Sequence, residues 1–226
     1  MKISNILFVS FLIFLFGGIT FLCVGSKYYV GVDDRADFVK QEKLLSPFSV
    51  VVAEPSTIFS LKSEKENKIT QTYLKNTLPD IGSFLVRNDT LFISSVQLKK
   101  DQVRHTRNLT YVSCLNVKSI IIKENSNVRM EKFKADSLRI TMNKSELTGE
   151  LNKTVFVSLI SQDSYVRFRG DNIKKLQLQL DKTDLNIDSD KSIENVLGSL
   201  RNKSMLNCSI DGKLNLQKDK SSQLFF

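Results

Sequence analysis

From Asp89 onward apolar and polar residues alternate along the chain: Leu91/Ile93, Leu109/Tyr111, Val128/Met130, Leu138/Ile140/Met142, Val155/Val157/Leu159, Leu176/Leu178/Leu180, Leu185/Ile187 and Leu214/Leu216. A period of two sends successive side chains to opposite faces, so each segment reads as a half-buried strand. The segments also recur at a fixed interval. Leu91, Leu109, Val128, Leu147, Val166, Leu185 and Leu206 stand 18, 19, 19, 19, 19 and 21 residues apart, and a second column follows at Ile93, Tyr111, Met130, Gly149, Phe168, Ile187 and Cys208. A small hydroxyl residue comes just before the later strands, at Ser126, Ser145, Ser164, Thr183 and Ser204. Leu138/Val157/Leu176 and Ile140/Leu159/Leu178 repeat in the same register.

Two strand positions sharing one repeat predict an all-β solenoid, a parallel β-helix with coils of about 19 residues, each carrying a long strand, a corner, a short strand and a return. At about 4.8 Å per strand, roughly nine coils between Phe48 and Lys218 would make a rod about 40 Å long. Its interior is a ladder of like residues. Phe168 beside Gly149 is the volume compensation that such a ladder needs. Cys208 shares the inward column and reads as a small buried hydrophobe, while Cys114 falls out of phase with Leu109, Tyr111, Leu115 and Val117 and is expected to be less buried. Phe48–Val52 and Ile58–Leu61 read as strands around Glu54-Pro55-Ser56 and are expected to cap the rod, with the polar stretch Lys65–Asn76 as a loop or short helix. Ile193, Val196, Leu197 and Leu200 follow helical spacing, yet the coil register demands a strand there. A strand with a bulged or inserted corner reconciles the two.

Ahead of the solenoid, Ile6–Gly25 is 20 residues without a charge, between Lys2 and Lys27. As a helix it would span about 30 Å, the thickness of a bilayer's hydrocarbon core. The organisation expected is therefore a signal anchor or signal peptide over 1–26, a tether over 27–47 and a β-solenoid domain over 48–226. The apolar stretch exceeds the core of a usual cleaved signal, which favours a single-pass helix in the cell membrane with the body on the extracytoplasmic, periplasmic side. Cleavage after Gly25 or Ser26 is the alternative.

Composition narrows the chemistry. One His, no Trp and Cys at 23, 114 and 208 only leave no zinc set, CxxC pair or disulfide framework, so no metal and no cofactor is expected. A polysaccharide-cleaving site would need clustered carboxylates. The positions before the hydroxyl column read Asn125, Lys144, Asp163, Lys182 and Lys203, and those after it Asn127, Glu146, Tyr165, Asp184 and Met205; neither column is acidic, and no catalytic residue is assigned. With 33 Lys and Arg against 24 Asp and Glu, the net charge is +9. Base-stacking aromatics interleaved with basic residues are missing, which argues against nucleic acid. An acidic glycan or anionic lipid surface is the expected polyanion, with Lys144, Lys182, Lys203, Arg104 and Arg107 as contacts.

The strings FSVVVAEPSTIFSL, VRNDTLFIS, LRITMNKSELTG and LQLQLDKTDLNI resemble the head GIN domain, the adhesin-type domain of Bacteroidetes envelope proteins, over roughly Phe48 to Asp219. The resemblance implies a right-handed, extracytoplasmic β-helix without assigned catalysis. Together these readings predict a membrane-anchored, non-enzymatic solenoid that presents the side of its rod to envelope proteins or glycans. The alternatives are a structural element that self-associates end to end, with Leu224-Phe225-Phe226 at the junction, and a polysaccharide-acting enzyme.

Overall fold

The computed structural model describes residues 11–12, 14–20, 38–75, 79, 81–96, 109–170 and 172–226. The chain divides into two compact units, Met1–Asp37 and Phe38–Phe226. In the first, residues 11–12 and 14–20 are helical. The remainder of the stretch expected to cross a membrane lies outside the described residues, and among those described no helix is long and apolar enough to do so.

The second unit is all-β. It opens with β1 (Phe38–Leu44), β2 (Val50–Ala53), β3 (Ile58–Ser63), β4 (Lys68–Leu74), β5 (Ile81–Arg87), β6 (Thr90–Ser95) and β7 (Leu109–Cys114). Strict alternation between two sheets follows: β8 (Ser119–Ile122), β9 (Asn127–Phe133), β10 (Ser137–Asn143), β11 (Glu146–Leu151), β12 (Phe156–Gln162), β13 (Tyr165–Arg169), β14 (Lys175–Asp181), β15 (Asp184–Asp188), β16 (Ile193–Arg201), β17 (Met205–Asn207), β18 (Ile210–Lys218) and β19 (Gln223–Phe225). Sheet A runs β1-β4-β7-β3-β9-β11-β13-β15-β17-β19, and sheet B runs β18-β16-β14-β12-β10-β8-β2-β6-β5. From β8 to β19 this is a solenoid of about six turns with 19-residue coils.

The serial count is six and not nine because the first coils are stacked out of chain order. The β2–β3 pair lies between β6–β7 on one side and β8–β9 on the other, parallel to both. It is therefore an internal coil, and the end is covered by antiparallel strands: β1 on β4, β4 on β7, and β5 on β6. Two expectations change with it. Residues 38–44, assigned to the tether, form β1, and the polar stretch after Lys65 supplies β4, whose Ile69, Thr70 and Gln71 are buried. The β5–β6 hairpin closes through Asn88 and Asp89, both with positive φ (49° and 60°), the backbone of a type I′ turn.

Within the serial turns the expected columns hold. Val128, Leu147, Val166, Leu185 and Leu206 stack in sheet A, and Leu138, Val157 and Leu176 with Ile140, Leu159 and Leu178 in sheet B, all buried. Full burial of each aliphatic side chain contributes about 1.5–3 kcal/mol. The neighbours above Val128 differ from expectation. Phe59, not Leu109, stacks on it, while Leu91 sits in sheet B against Val51. In β7 it is Val112 and Cys114 that face inward; Leu109 is 49% exposed, and Tyr111 pairs with Ser60 outside the column. Cys114 is thus buried, contrary to the phase expected of it, because β7 is set by β3 and β4 and a one-residue slip exchanges the faces of a strand.

The hydroxyl column is real and longer than the sequence pattern marked: Thr57, Ser126, Ser145, Ser164, Thr183, Ser204 and Ser222 are all buried. Their carbonyls accept from the next turn, as in Asn127 N to Thr57 at 2.9 Å, Glu146 N to Ser126 at 2.9 Å and Tyr165 N to Ser145 at 3.0 Å. From Thr57 to Ser204 their hydroxyls serve the corner: Ser164 Oγ donates to the Gln162 carbonyl at 2.6 Å, and Ser204 Oγ accepts from Thr183 N at 3.2 Å, while Ser222 Oγ in the last turn is buried without a partner. A small hydroxyl is needed because a buried corner must satisfy its own backbone groups without a bulky side chain. The Ile193–Leu200 stretch is strand β16, with a register shift against β18 between Ile193 and Asn195, so the helical spacing reflects a bulge. At Gly198, φ 135°, an added Cβ would meet the Leu178 carbonyl oxygen at 1.8 Å.

Candidate functional site

The corner between sheets B and A repeats one backbone device. Ser56, Asn125, Lys144, Asp163, Lys182 and Lys203, each just before a hydroxyl-column residue, have φ of 62°, 57°, 44°, 51°, 46° and 67°. Left-handed backbone turns the chain sharply, and stacking compensates its cost: Asn125 N donates to Lys144 O at 2.8 Å, Lys144 N to Gln162 O at 2.9 Å and Asp163 N to Asp181 O at 2.8 Å. Lys144, Lys182 and Lys203 therefore share one edge of the solenoid. Asp163 stands between the first two in the stack, and Lys144 Nζ lies 3.7 Å from Glu124. Arg104 and Arg107 lie outside the described residues, as does His105.

Beside this edge, the outer face of sheet B carries a groove of about 810 Å³. One wall is the outward column Ile121, Thr141, Ile160, Gln179 and Ser199, one residue per strand from β8 to β16. Asn143, Gln162, Asp181 and Arg201 form the other wall, and Pro55 also lines the groove. The flanking charges are engaged: Lys123 Nζ lies 2.8 Å from Glu54, and Asp181 accepts from Asn202 Nδ2 at 2.9 and 3.0 Å. Asn143 donates through Nδ2 to Glu124 at 3.2 Å, while its Oδ1 is buried with no partner.

On the opposite side, sheet A carries a charged ladder that the columns flanking the hydroxyl residues do not reveal. Arg129, Thr148 and Arg167 form one outward column, and Glu131, Glu150, Arg169 and Asp188 line the neighbouring strip, around a depression of about 300 Å³ over Gly149. Arg129 lies 3.8 Å from Glu131, and Asp188 3.6 and 3.7 Å from Arg167 and Arg169. The signal lay in the same interval of 19, two and four residues beyond the column of Asn127 and Glu146. Among the described residues, no group of three or more His, Cys, Asp or Glu side chains is placed to hold a metal ion.

Both described thiols belong to the core. Burial pushes Cys114 up to about 12, with Glu64 adding to it, and its Sγ donates to the Lys62 carbonyl at 3.3 Å. Burial pushes Cys208 up to about 11. Neither is poised as a thiolate nucleophile.

These features define a β-solenoid with two outward faces and a left-handed corner between them. No family model and no curated protein sequence matches the chain. Among solved structures it is similar to a putative adhesin from Bacteroides fragilis, at 13% identity and a TM-score of 0.45, over 83% of this chain and 96% of that one. It is also similar to a putative lipid binding protein from Parabacteroides distasonis (13%, TM-score 0.41, 84% and 97%) and a putative cell adhesion protein from Clostridium sporogenes (13%, 0.31, 72% and 100%).

Proposed function

We propose that this chain is a membrane-anchored, extracytoplasmic solenoid of non-enzymatic binding type, which offers the side of its rod to envelope proteins or glycans. The observation that carries this reading is the continuous outward column from Ile121 to Ser199 and the groove it lines. A stack of coils extends a surface turn by turn, which suits repeated contacts along a partner. The apolar stretch Ile6–Gly25 supports the anchor. The winding is right-handed, the hand taken by nearly all connections between parallel strands of one sheet. Lys144, Lys182 and Lys203, with Arg104 and Arg107, are the contacts for acidic glycan or anionic headgroups.

The test is fractionation of cells making the full-length chain, with protease added from outside, followed by incubation of the solubilised chain with envelope glycan. Retention in alkali-washed membranes, digestion of the body from outside and intact glycan are expected. Release of a chain starting at Ser26 or Lys27 overturns the anchor, and reproducible glycan cleavage overturns the non-enzymatic reading.

End-to-end self-association is the second reading, favoured by the last turn, where Leu214 is 42% and Phe226 73% exposed. Sedimentation that is independent of concentration, with and without residues 221–226, removes it.

A further inference from the structure

We infer that the groove on sheet B binds an uncharged, hydroxyl-rich glycan chain lying along the rod axis. This rests on the reading of the rod side as a binding surface and names what that surface takes. Three observations carry it.

The first is direction. The wall residues Ile121, Thr141, Ile160, Gln179 and Ser199 come from five neighbouring strands, so the groove runs across the strands for about 19 Å at 4.8 Å per step. It suits an extended polymer. A peptide that adds to a sheet needs free backbone groups at an edge; here β8 to β16 are paired on both sides, and only side chains are on offer.

The second is charge. Lys123 is held by Glu54, Glu124 by Lys144 and Asn143, and Asp181 by Asn202. Arg201, on the last strand of the groove, is the lining charge without a carboxylate partner among the described residues. With two cations, Lys123 and Arg201, against two anions, Glu124 and Asp181, the lining has no net formal charge and gives a polyanion little to exchange for its counterions, whereas Thr141, Gln162, Gln179 and Ser199 offer donors and acceptors at strand spacing. The exposed part of Ile160, 43%, gives the C–H face of a sugar ring a dry contact.

The third is an open valence. Asn143 Oδ1 is buried without a partner. The amide is not simply reversed, because Glu124 fixes Nδ2 as the end that donates. An acceptor left without a donor costs stability, and a turn of the Asn143 amide, whose side chain lines the groove, brings it to a ligand hydroxyl.

The experiment uses the detergent-solubilised full chain in native affinity gels containing dextran, yeast mannan or laminarin, with dextran sulfate as the charged comparison. Thr141→Arg projects bulk from one wall into the groove, Asn143→Ala removes the unpartnered acceptor of the other, and Thr148→Arg places the same bulk on sheet A. Retardation by at least one neutral polymer is expected, weakened about tenfold or more by each groove variant, unchanged by Thr148→Arg, and altered less than about twofold between 50 and 500 mM salt, where screening would erase a polyanion contact. Matched thermal melts confirm that each variant is folded, and if one is not, the other variant and the salt series decide. Binding confined to dextran sulfate, or equal loss with Thr148→Arg, overturns this inference while leaving a binding rod. No retardation by any polymer overturns the neutral-glycan assignment and removes the glycan part of the broader reading.

Discussion

Phe168 occupies the space that Gly149 leaves. A Cβ added to the glycine would stand 3.1 Å from Phe168 Cδ1 and 2.6 Å from Met130 Cε, and both neighbours are buried in adjacent turns. Three positions of one column thus share one volume. Gly149→Val is expected to lower stability by about 1–3 kcal/mol through overpacking. Adding Phe168→Leu, itself a cavity-forming change, should recover at least about 0.5 kcal/mol relative to the sum of the single changes. Urea denaturation of the four proteins reads this out. Strict additivity would show that the two sites do not share space.

The stacked corner predicts an unusual ranking of substitutions at Lys144. Its φ of 44° favours residues that tolerate left-handed backbone, and Asn125 already occupies the equivalent corner one turn earlier. Lys144→Asn should leave stability unchanged or raise it by a few tenths of a kcal/mol, and Lys144→Ile should lower it by about 1–2 kcal/mol. Thermal melts separate the two, and equal melting temperatures would contradict the corner geometry.

The buried thiols predict an alkaline effect. Their folded values, about 12 for Cys114 and about 11 for Cys208, lie above the ordinary 9.0. Between those limits the unfolded chain has released protons that the folded chain retains. Stability is therefore full below about pH 9 and falls as pH rises towards the folded values, by about 1.4 kcal/mol per pH unit for each thiol. Cys114→Ala with Cys208→Ala costs core packing, so the readout is the slope of stability against pH from 9 to 11, which should be shallower in the double variant. An unchanged slope would place the thiols in water.

Asp219 governs the acid side of the last turn. Asn202 N donates to it at 2.6 Å, Ser221 Oγ at 2.9 Å and Ser222 N at 2.8 Å, and these bonds, Asn202 foremost, hold its carboxyl far below the usual range. The folded value is depressed, so the contribution is complete above the ordinary 3.8 and is lost as pH falls through the folded value. Asp219→Asn should speed hydrogen exchange at the Gln223 amide, which donates to Ser204 O at 2.9 Å, while exchange in β10 and β12 stays as before. Equal protection in the variant would mean that the corner does not need the charge.

The turns between Ser126 and Ser204 were legible because each places the same groups in the same order, with two inward aliphatics, a buried hydroxyl and a left-handed corner. Even the 21-residue spacing before Leu206 has its place: one extra residue lies in the return ahead of β16, where Leu176 pairs with Val196 20 positions on, and the second in the corner where Asn202 and Lys203 both take positive φ. The first coils were not legible for a physical reason. A spacing of 19 between Leu109 and Val128 looks the same whether or not the strands are neighbours, and here β3 lies between β7 and β9. Which face of β7 turns inward is decided by Ser60 and Thr70 across the ladder, residues 40 or more positions away. The groove was half visible: Thr141, Ile160 and Gln179 keep the interval, but outward columns stand out only once the inward ones are placed.

The position of β2–β3 has a temporal consequence. This coil is made early, yet one of its flanks is completed only by Leu109–Cys114 and the other only by Ser119–Phe133. Growth of the stack cannot keep pace with synthesis from the amino end, and the early strands wait, edges unpaired, for about 50 to 80 residues of later chain. The contacts they finally make are long-range ones, the kind that slows folding. The uniform turns after Ser119 need only their immediate predecessors, so the regular part of the rod is free to assemble first and act as the template on which its own beginning docks.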